Sequence, residues 1–258
     1  MTPVPRRGAI DPRISARRTA VTREQGRRRL RLLVVLAGGT AVLVGAWFLL
    51  HTALFSARSV TVVGDTHETA AKVVQQAGLS GHPPLLDVNV GAAVQRIERL
   101  SWVRTATVQV HWPDGVHIDV TEETPRLVMS APEAKWAVLS ADGRVLEITA
   151  VRPAGLMAVA GPQPPGAVGT TLGPRDRPGL AVASTLPASF GAQVTGVTVE
   201  SGGWVQLALT TPILVDIGMA TQLQAKYEDV SSILSGATLH NGDVIDVSVP
   251  GSPTVTGA

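Results

Sequence analysis

The feature that most restricts the fold of this chain is an uncharged apolar run near its N-terminus. From Leu32 to Leu50 the sequence is LLVVLAGGTAVLVGAWFLL, nineteen residues without a charged side chain. As a helix this run rises roughly 28 Å, which is about the thickness of the hydrocarbon core of a bilayer. Its glycines are tolerated in lipid, where unsatisfied backbone groups cost more than lost helix propensity. We therefore predict a transmembrane signal anchor over residues 32–51.

A cleaved signal peptide is the main alternative for this segment. The apolar run exceeds the usual length of roughly 7 to 15 residues, and cleavage after Ala57 would place the bulky Phe55 at position −3. We therefore expect the anchor to be retained. The basic run RRRLR at 27–31 precedes it, so the positive-inside rule places the N-terminus in the cytoplasm and residues 52–258 outside.

The charge of the chain divides at the anchor. Residues 1–31 hold ten arginines and two acids, about +8, whereas the rest holds twelve basic and eighteen acidic residues, about −6. The basic character therefore belongs to the tail, and it does not indicate a nucleic-acid partner. With three prolines and few apolar residues, residues 1–31 are predicted to be a disordered cytoplasmic tail. The tail sets the topology, which is compatible with binding anionic lipid or a cytoplasmic partner.

The first exported segment combines strand and helix patterns in the order β-α-α-β-β. Apolar residues recur every three or four positions in two short stretches, which predicts helices that cover one face of a sheet. The expected elements are a strand at 59–63, a helix capped by Asp65 with Glu68, a helix capped by Asn89, and strands at 105–112 and 116–122 joined by the turn Pro113-Asp114-Gly115.

This order of motifs behind one anchor carries a family resemblance. VTVVGD at 60–65, a helix, Leu85-Leu86-Asp87, a second helix and WVRTATVQVHWPDGVHIDVTEETP at 102–125 follow one another. The arrangement resembles the POTRA domain of the bacterial cell-division proteins FtsQ and DivIB. The resemblance implies a POTRA domain over residues 56–124. It departs from the family at Thr124, where a basic residue is usual.

The remaining chain is rich in predicted strands. Strands are expected at 136–140, 144–148, 156–159, 195–199, 204–209, 213–217 and 243–249, helical turns at 181–186, a surface loop at 161–178, and an amphipathic helix at 221–234. ILVDIG at 213–218, the helix with Lys226 in it, and IDVSVP at 245–250 resemble the C-terminal part of FtsQ-type proteins. We therefore expect an FtsQ-type β domain over 125–250 and a C-terminal tail over 251–258. The overall class is α+β, with a mixed β-sheet in the second domain.

Two segments of the sequence resemble the start of a catalytic motif, but neither motif is complete. The chain has no cysteine, and His67-Glu68 is followed by Ala71 where a zinc protease needs its second histidine. Gly78-Leu79-Ser80-Gly81 lacks the x-Gly that completes a nucleophile elbow. We therefore expect no catalytic residue, no metal site and no cofactor, and a protein that acts by binding.

The last predicted strand is the candidate binding site. If it lies at a sheet edge, its unpaired backbone groups can accept a strand from a partner, and no lysine blunts it. In the FtsQ family this terminal region is where FtsB docks in complex with FtsL, and the resemblance implies the same here. An ordinary paired strand, or one covered by Pro250-Gly251, is the alternative. The candidate residues are Val244, Ile245, Asp246, Val247, Ser248 and Val249.

Three functions are weighed from these patterns. The first is a non-enzymatic divisome scaffold at the plasma membrane and septum, which links early and late division proteins, engages other divisome proteins through the POTRA domain and recruits FtsB and FtsL. The second is a membrane-anchored extracytoplasmic cell-wall hydrolase, for which the sequence shows no acid-base cluster. The third is an outer-membrane assembly factor, which requires repeated modules and a long barrel of alternating strands that the sequence lacks.

Overall fold

Helix α1, Pro12–Leu50, opens the computed structural model, which describes residues 12–64 and 67–257, with side chains from Leu30 onward apart from Ala53. The segment Leu30–Leu50 is 21 residues long and apolar enough to cross a membrane, and none of it is buried against the protein. Such a surface is stable in lipid and costly in water. The apolar helix that the sequence predicts is therefore confirmed.

The start of α1 differs from expectation. Residues 12–31 are helical, where the composition predicted disorder, and residues 1–11 lie outside the described residues. The physical reason is cooperativity, because extending an existing helix avoids the cost of nucleation. Pro12 suits the first helical position, where its missing N–H has no partner to lose.

The first module has the predicted β-α-α-β-β order and a three-stranded sheet. Its strand order is β1-β3-β2, with β1 parallel to β3 and β3 antiparallel to β2. The elements are β1 Ser59–Val63, α2 Ala70–Ala77, α3 Val90–Ile97, β2 Val103–His111 and β3 Gly115–Glu122.

The caps of the two helices explain their bounds. Asn89 caps α3 as predicted, with its Oδ1 accepting a hydrogen bond from the backbone N–H of Ala92 at 2.9 Å. Helix α2 is capped by Thr69 instead of Asp65, which lies outside the described residues, and so begins later than expected. Glu68 forms an ion pair with Lys72 at 2.7 Å on the first turn of α2.

The second module is built on a nine-stranded sheet in the order β12-β11-β10-β9-β8-β7-β4-β5-β6. Most strands agree with the sequence pattern within two residues, but β4 and β12 were not predicted. The strands are β4 Pro125–Ala131, β5 Lys135–Ser140, β6 Val145–Thr149, β7 Met157–Ala160, β8 Val194–Val199, β9 Trp204–Leu209, β10 Leu214–Met219, β11 Val244–Asp246 and β12 Thr254–Thr256.

Two helices, α4 (Arg177–Thr185) and α5 (Leu223–Gly236), contribute to the core of this sheet. Tyr227 of α5 is buried, and its hydroxyl donates to the carbonyl of Val182 in α4 at 3.1 Å. Phe190 packs edge-to-face against the same ring at 5.8 Å. The helices are thus fixed to each other as well as to the sheet.

Arg144, next to β6, joins the two modules. Its Nη2 donates to the carbonyl of Glu98 at 2.8 Å and to that of Leu100 at 2.9 Å, just beyond the C-terminal end of α3. Helix ends leave carbonyls without intrahelical partners and carry partial negative charge, so a guanidinium is well matched there.

We expect Arg144→Met to lower the free energy of unfolding by about 2 kcal/mol, because two carbonyls lose a charged donor. Urea unfolding of the full chain in detergent micelles, followed by circular dichroism, measures this change. Arg175→Met, at an exposed position in the second module, is the matched control. Equal midpoints for the two variants would show that Arg144 does not secure the junction.

Candidate partner-binding edge

The candidate strand is shorter than predicted. β11 covers Val244–Asp246, whereas Val247, Ser248 and Val249 lie outside any strand. The carboxylate of Asp246 accepts a hydrogen bond from the backbone N–H of Ser248 at 2.8 Å, which turns the chain away from the ladder. The alternation of apolar and polar residues could not predict where this strand ends, because it does not show that a side chain hydrogen-bonds to the backbone in place of a neighbouring strand.

β11 is also not an edge strand, which corrects the premise of the prediction. It pairs in parallel with β10, with Val215 opposite Ile245, and antiparallel with β12 on its other side, with Ile245 opposite Val255. Residues 254–256, which we expected to belong to a tail, thus cover the predicted edge. Their β-branched sequence Thr-Val-Thr was the available signal, but three residues are too few for periodicity to indicate a strand.

The open edge on this side of the sheet is β12. It is the outermost strand of the order, its three residues are exposed, and none of them is charged. At the opposite edge, residues of the 161–178 loop pair with Val145, the first residue of β6. The N–H of Val145 donates to the carbonyl of Thr170, and the carbonyl of Val145 accepts from the N–H of Gly169, both at 2.8 Å. Among the described residues, β12 thus has no strand on its outer side, whereas β6 is paired at its start.

A small apolar patch lies beside the chain that leaves β11. Trp204 and Met219 are opposite each other across β9 and β10, and each is 50% exposed. Gly218 allows the close contact, because a Cβ there would lie 2.9 Å from the Cβ of Ser248 and 3.3 Å from the Trp204 ring. Val249 follows Ser248 and is 62% exposed. We call Trp204, Met219 and Val249 the edge patch.

Lys226 supports this end of the sheet from below. Its side chain is 1% exposed, and its Nζ donates to the carbonyls of Ile217 and Met219, both at 2.8 Å. Ile217 lies within an irregularity between Asp216 and Gly218, where β10 slips against β9, and Met219 directly follows it. Burial lowers the pKa of Lys226, and the nearby carboxylate of Asp246 opposes that shift. The sequence pattern places Lys226 within the amphipathic helix but does not reveal its contact with the sheet.

A cleft of about 1030 Å³ lies in the same module, and no acid or histidine lines it. Two arginines, Arg126 and Arg152, are its charged lining residues. Asp176, in the loop expected at the surface, is instead fully buried at the start of α4. Burial raises the pKa of Asp176 and the backbone of Gln163 opposes the shift. Neither feature brings an acid and a base together.

We expect Lys226→Met to lower the free energy of unfolding by about 2 kcal/mol, because two buried carbonyls lose their donor. Ala225→Met, on the exposed face of the same helix, is the matched control, and urea unfolding in detergent is the measurement. A loss no greater than that of the control would contradict the role given to the ammonium group.

The same lysine predicts a dependence on pH. Because the pKa of Lys226 is lowered in the folded chain, the unfolded chain binds more protons between that lowered value and the ordinary 10.5. The wild-type free energy of unfolding should therefore contain a component that rises with pH in this window. Unfolding curves of Lys226→Met at the same pH values should lack that component. Identical pH profiles would disprove the assignment.

Comparison with known proteins agrees with this architecture. Residues 55–123 match the model of the POTRA domain, FtsQ-type. The chain is 29% identical over 252 residues to "Cell division protein FtsQ" of Mycolicibacterium smegmatis, covering 96% of this chain and 70% of the relative. It is 29% identical over 245 residues to the protein of the same name from Streptomyces collinus, covering 92% of each chain. With its apolar anchor, FtsQ-type POTRA domain and C-terminal mixed sheet, the chain belongs to the FtsQ/DivIB family of cell-division proteins.

Proposed function

We propose that the chain is a non-enzymatic scaffold of the divisome at the plasma membrane, which links early and late division proteins and recruits FtsB and FtsL. The observation that carries the proposal is the uncharged open edge of β12. Family membership supports the division role, and the named partners come from the resemblance stated above. The POTRA domain engages other divisome proteins.

Recruitment works by strand addition at the end of the nine-stranded sheet. An extended segment of FtsB pairs with the free backbone groups of Thr254–Thr256, since main-chain hydrogen bonds supply affinity in this mode of recognition. Three residues offer few hydrogen bonds, so side-chain contacts must contribute as well. The edge patch supplies them, because half-exposed Trp204 is the type of residue that dominates binding energy at interfaces.

Of the six originally predicted residues, five take an indirect part in this arrangement and Val249 takes a direct one. Val244, Ile245 and Asp246 hold β12 in place through pairing, and Ser248 contacts the glycine beneath Trp204. Val247 donates its N–H to the carbonyl of Asp216 at 3.0 Å, which anchors the departing chain, and Val249 belongs to the edge patch.

The anchor places this edge on the extracytoplasmic side. The basic run at 27–31 keeps the N-terminus in the cytoplasm, so both folded modules lie across the membrane from it. We therefore propose a single-pass protein that concentrates at the division septum.

Backbone pairing is tested by two proline variants, Val255→Pro and Thr256→Pro. Successive N–H groups point to opposite sides of a strand, so one of the two variants removes an N–H that faces the partner. We expect that variant to weaken capture of the FtsB–FtsL complex by at least about tenfold, the effect of losing roughly 1.4 kcal/mol. Binding of the full chain in detergent, measured by biolayer interferometry, provides the comparison.

Matched controls are Val255→Ala and Thr256→Ala, which shorten the side chains but keep the N–H groups. Circular dichroism confirms that all four variants fold. If both proline variants bind as tightly as their alanine counterparts, strand addition at β12 is wrong. If they bind equally while Trp204→Ala abolishes capture, recognition depends on the edge patch alone.

The cellular role predicts that a fluorescent fusion concentrates at the septum of dividing cells and that depletion produces filaments. Microscopy of cells expressing the fusion at native level measures both. A fusion without residues 32–51 should lose septal localisation, because the chain is then no longer tethered. Uniform envelope fluorescence together with normal division on depletion would refute the scaffold proposal.

A further inference from the structure

A cleft of about 330 Å³ lies directly beyond the end of α1. It is lined by His51, Thr52, Ser56, Arg58, His82 and Pro84. Three of these side chains bear nitrogen donors or potential donors and two bear hydroxyl groups, whereas none is a carboxylate. This composition suits an anion better than a metal or an apolar ligand.

The walls of the cleft come from two segments held together by hydrogen bonds. Ser56 and Pro84 form an isolated antiparallel bridge, and Ala57 N–H donates to the carbonyl of Pro83 at 2.9 Å. The ring Nδ1 of His82 lies 2.7 Å from the carbonyl of Ala57. The chain that leaves α1 is therefore attached to the first module within a few residues.

The polar groups of the lining are partly committed and partly free to act on a ligand. Because carbonyl oxygens only accept, the Nδ1 atoms of His51 and His82 donate, to Trp47 and Ala57 respectively, which leaves Nε2 of each ring. His51 Nε2 lies 3.6 Å from Asp87, the nearest opposing charge. No carboxylate among the described residues forms an ion pair with Arg58, which is exposed.

The position of the cleft relative to the bilayer follows from how few residues separate it from the membrane span. His51 and Thr52 immediately follow Leu50, the last residue of the span, and Thr52 N–H donates to the carbonyl of Leu49 at 3.0 Å. The headgroup layer on each side of the hydrocarbon core is roughly 5 to 8 Å thick. Residues one or two positions beyond the span must therefore lie in that layer, where lipid phosphates are concentrated.

Exposed apolar side chains lie on the segments that form the cleft and on the β2–β3 hairpin next to them. Leu54 is 64% exposed, Leu86 is 48% exposed, and Trp112, at the tip of the β2–β3 hairpin, is 52% exposed. The Trp112 ring lies 6.0 Å from that of Phe55, which connects the hairpin to the chain leaving α1. Tryptophan favours the membrane interface, and exposed leucines gain by leaving water there.

We infer that this cleft binds the phosphate of a phospholipid headgroup in the leaflet that the folded modules face, with Leu54 and Trp112 seated in the adjoining interface. Arg58 and His82 contact the phosphate, whereas the hydroxyl of Thr52 lines the cleft but donates to the carbonyl of Leu49 at 2.6 Å. The first module then lies against the bilayer instead of moving freely on a tether. The inference rests on the membrane anchor and is independent of partner recruitment at β12.

Lipid binding is tested with the full chain in non-ionic detergent micelles, titrated with dihexanoylphosphatidylglycerol and followed by tryptophan fluorescence. We expect saturable binding that Arg58→Gln weakens about fivefold, the effect of one arginine near an anionic surface. His82→Gln should also weaken binding, whereas Asp87→Asn should tighten it by removing the opposing carboxylate. Arg175→Gln, in the second module, is the control and should bind as the wild type.

A second set of experiments distinguishes binding of a lipid from binding of a free anion, and tests whether the first module lies at the bilayer surface. Inorganic phosphate at equal concentration should not displace the lipid, because it lacks the glycerol and acyl contacts at the rim. In vesicles of phosphatidylglycerol and phosphatidylcholine, lipids brominated near the headgroup should quench the wild type more than Trp112→Phe, which removes the signal at the interface. Unchanged affinity in both Arg58→Gln and His82→Gln, displacement by phosphate, or equal quenching would each overturn the inference.

Discussion

The apolar surface of α1 is the constraint on which the rest of the arrangement depends. The side chains of Leu30–Leu50 are almost entirely uncovered by protein, and burying such an apolar surface in lipid is strongly favourable. Everything C-terminal to Leu50 therefore starts at the membrane surface. The chain joins the first module only six residues later, at the Ser56–Pro84 bridge. The anchor and the first module are thus separated by a connector too short for wide independent motion.

The second module extends this arrangement away from the junction. Arg144 adjoins β6, at one edge of the nine-stranded sheet, whereas the open strand β12 lies at the other edge. Eight spacings between neighbouring strands amount to roughly 38 Å. The sheet therefore separates the edge that we propose for partner binding from the contact that fixes the module. A scaffold benefits from this separation, because a partner at β12 does not compete with proteins bound near the first module.

An open edge can bind a partner but can also pair with another copy of the chain, and the short length of β12 limits this self-association. Three residues offer too few backbone hydrogen bonds for one copy of the chain to recruit another by strand pairing alone. A partner that also contacts the edge patch gains side-chain contacts that a second copy of the chain would lack. The bulge in β10, stabilised by the buried ammonium of Lys226, keeps Gly218 beneath Trp204 and so presents that patch.

Much of the architecture follows from local sequence patterns. The anchor, the β-α-α-β-β order, the Asn89 cap and most strands of the second module are encoded in hydrophobic periodicity and turn residues, which act over a few positions. The sequence alone could not determine that Asp246 ends β11 or that Thr254–Thr256 covers it, because both depend on which segments meet in space. Arg144 and Lys226 look like ordinary surface cations in sequence, yet each satisfies carbonyls of another part of the fold. Tertiary structure decides these points, since a backbone group left unpaired by one segment selects its partner from whatever the fold brings within hydrogen-bond distance.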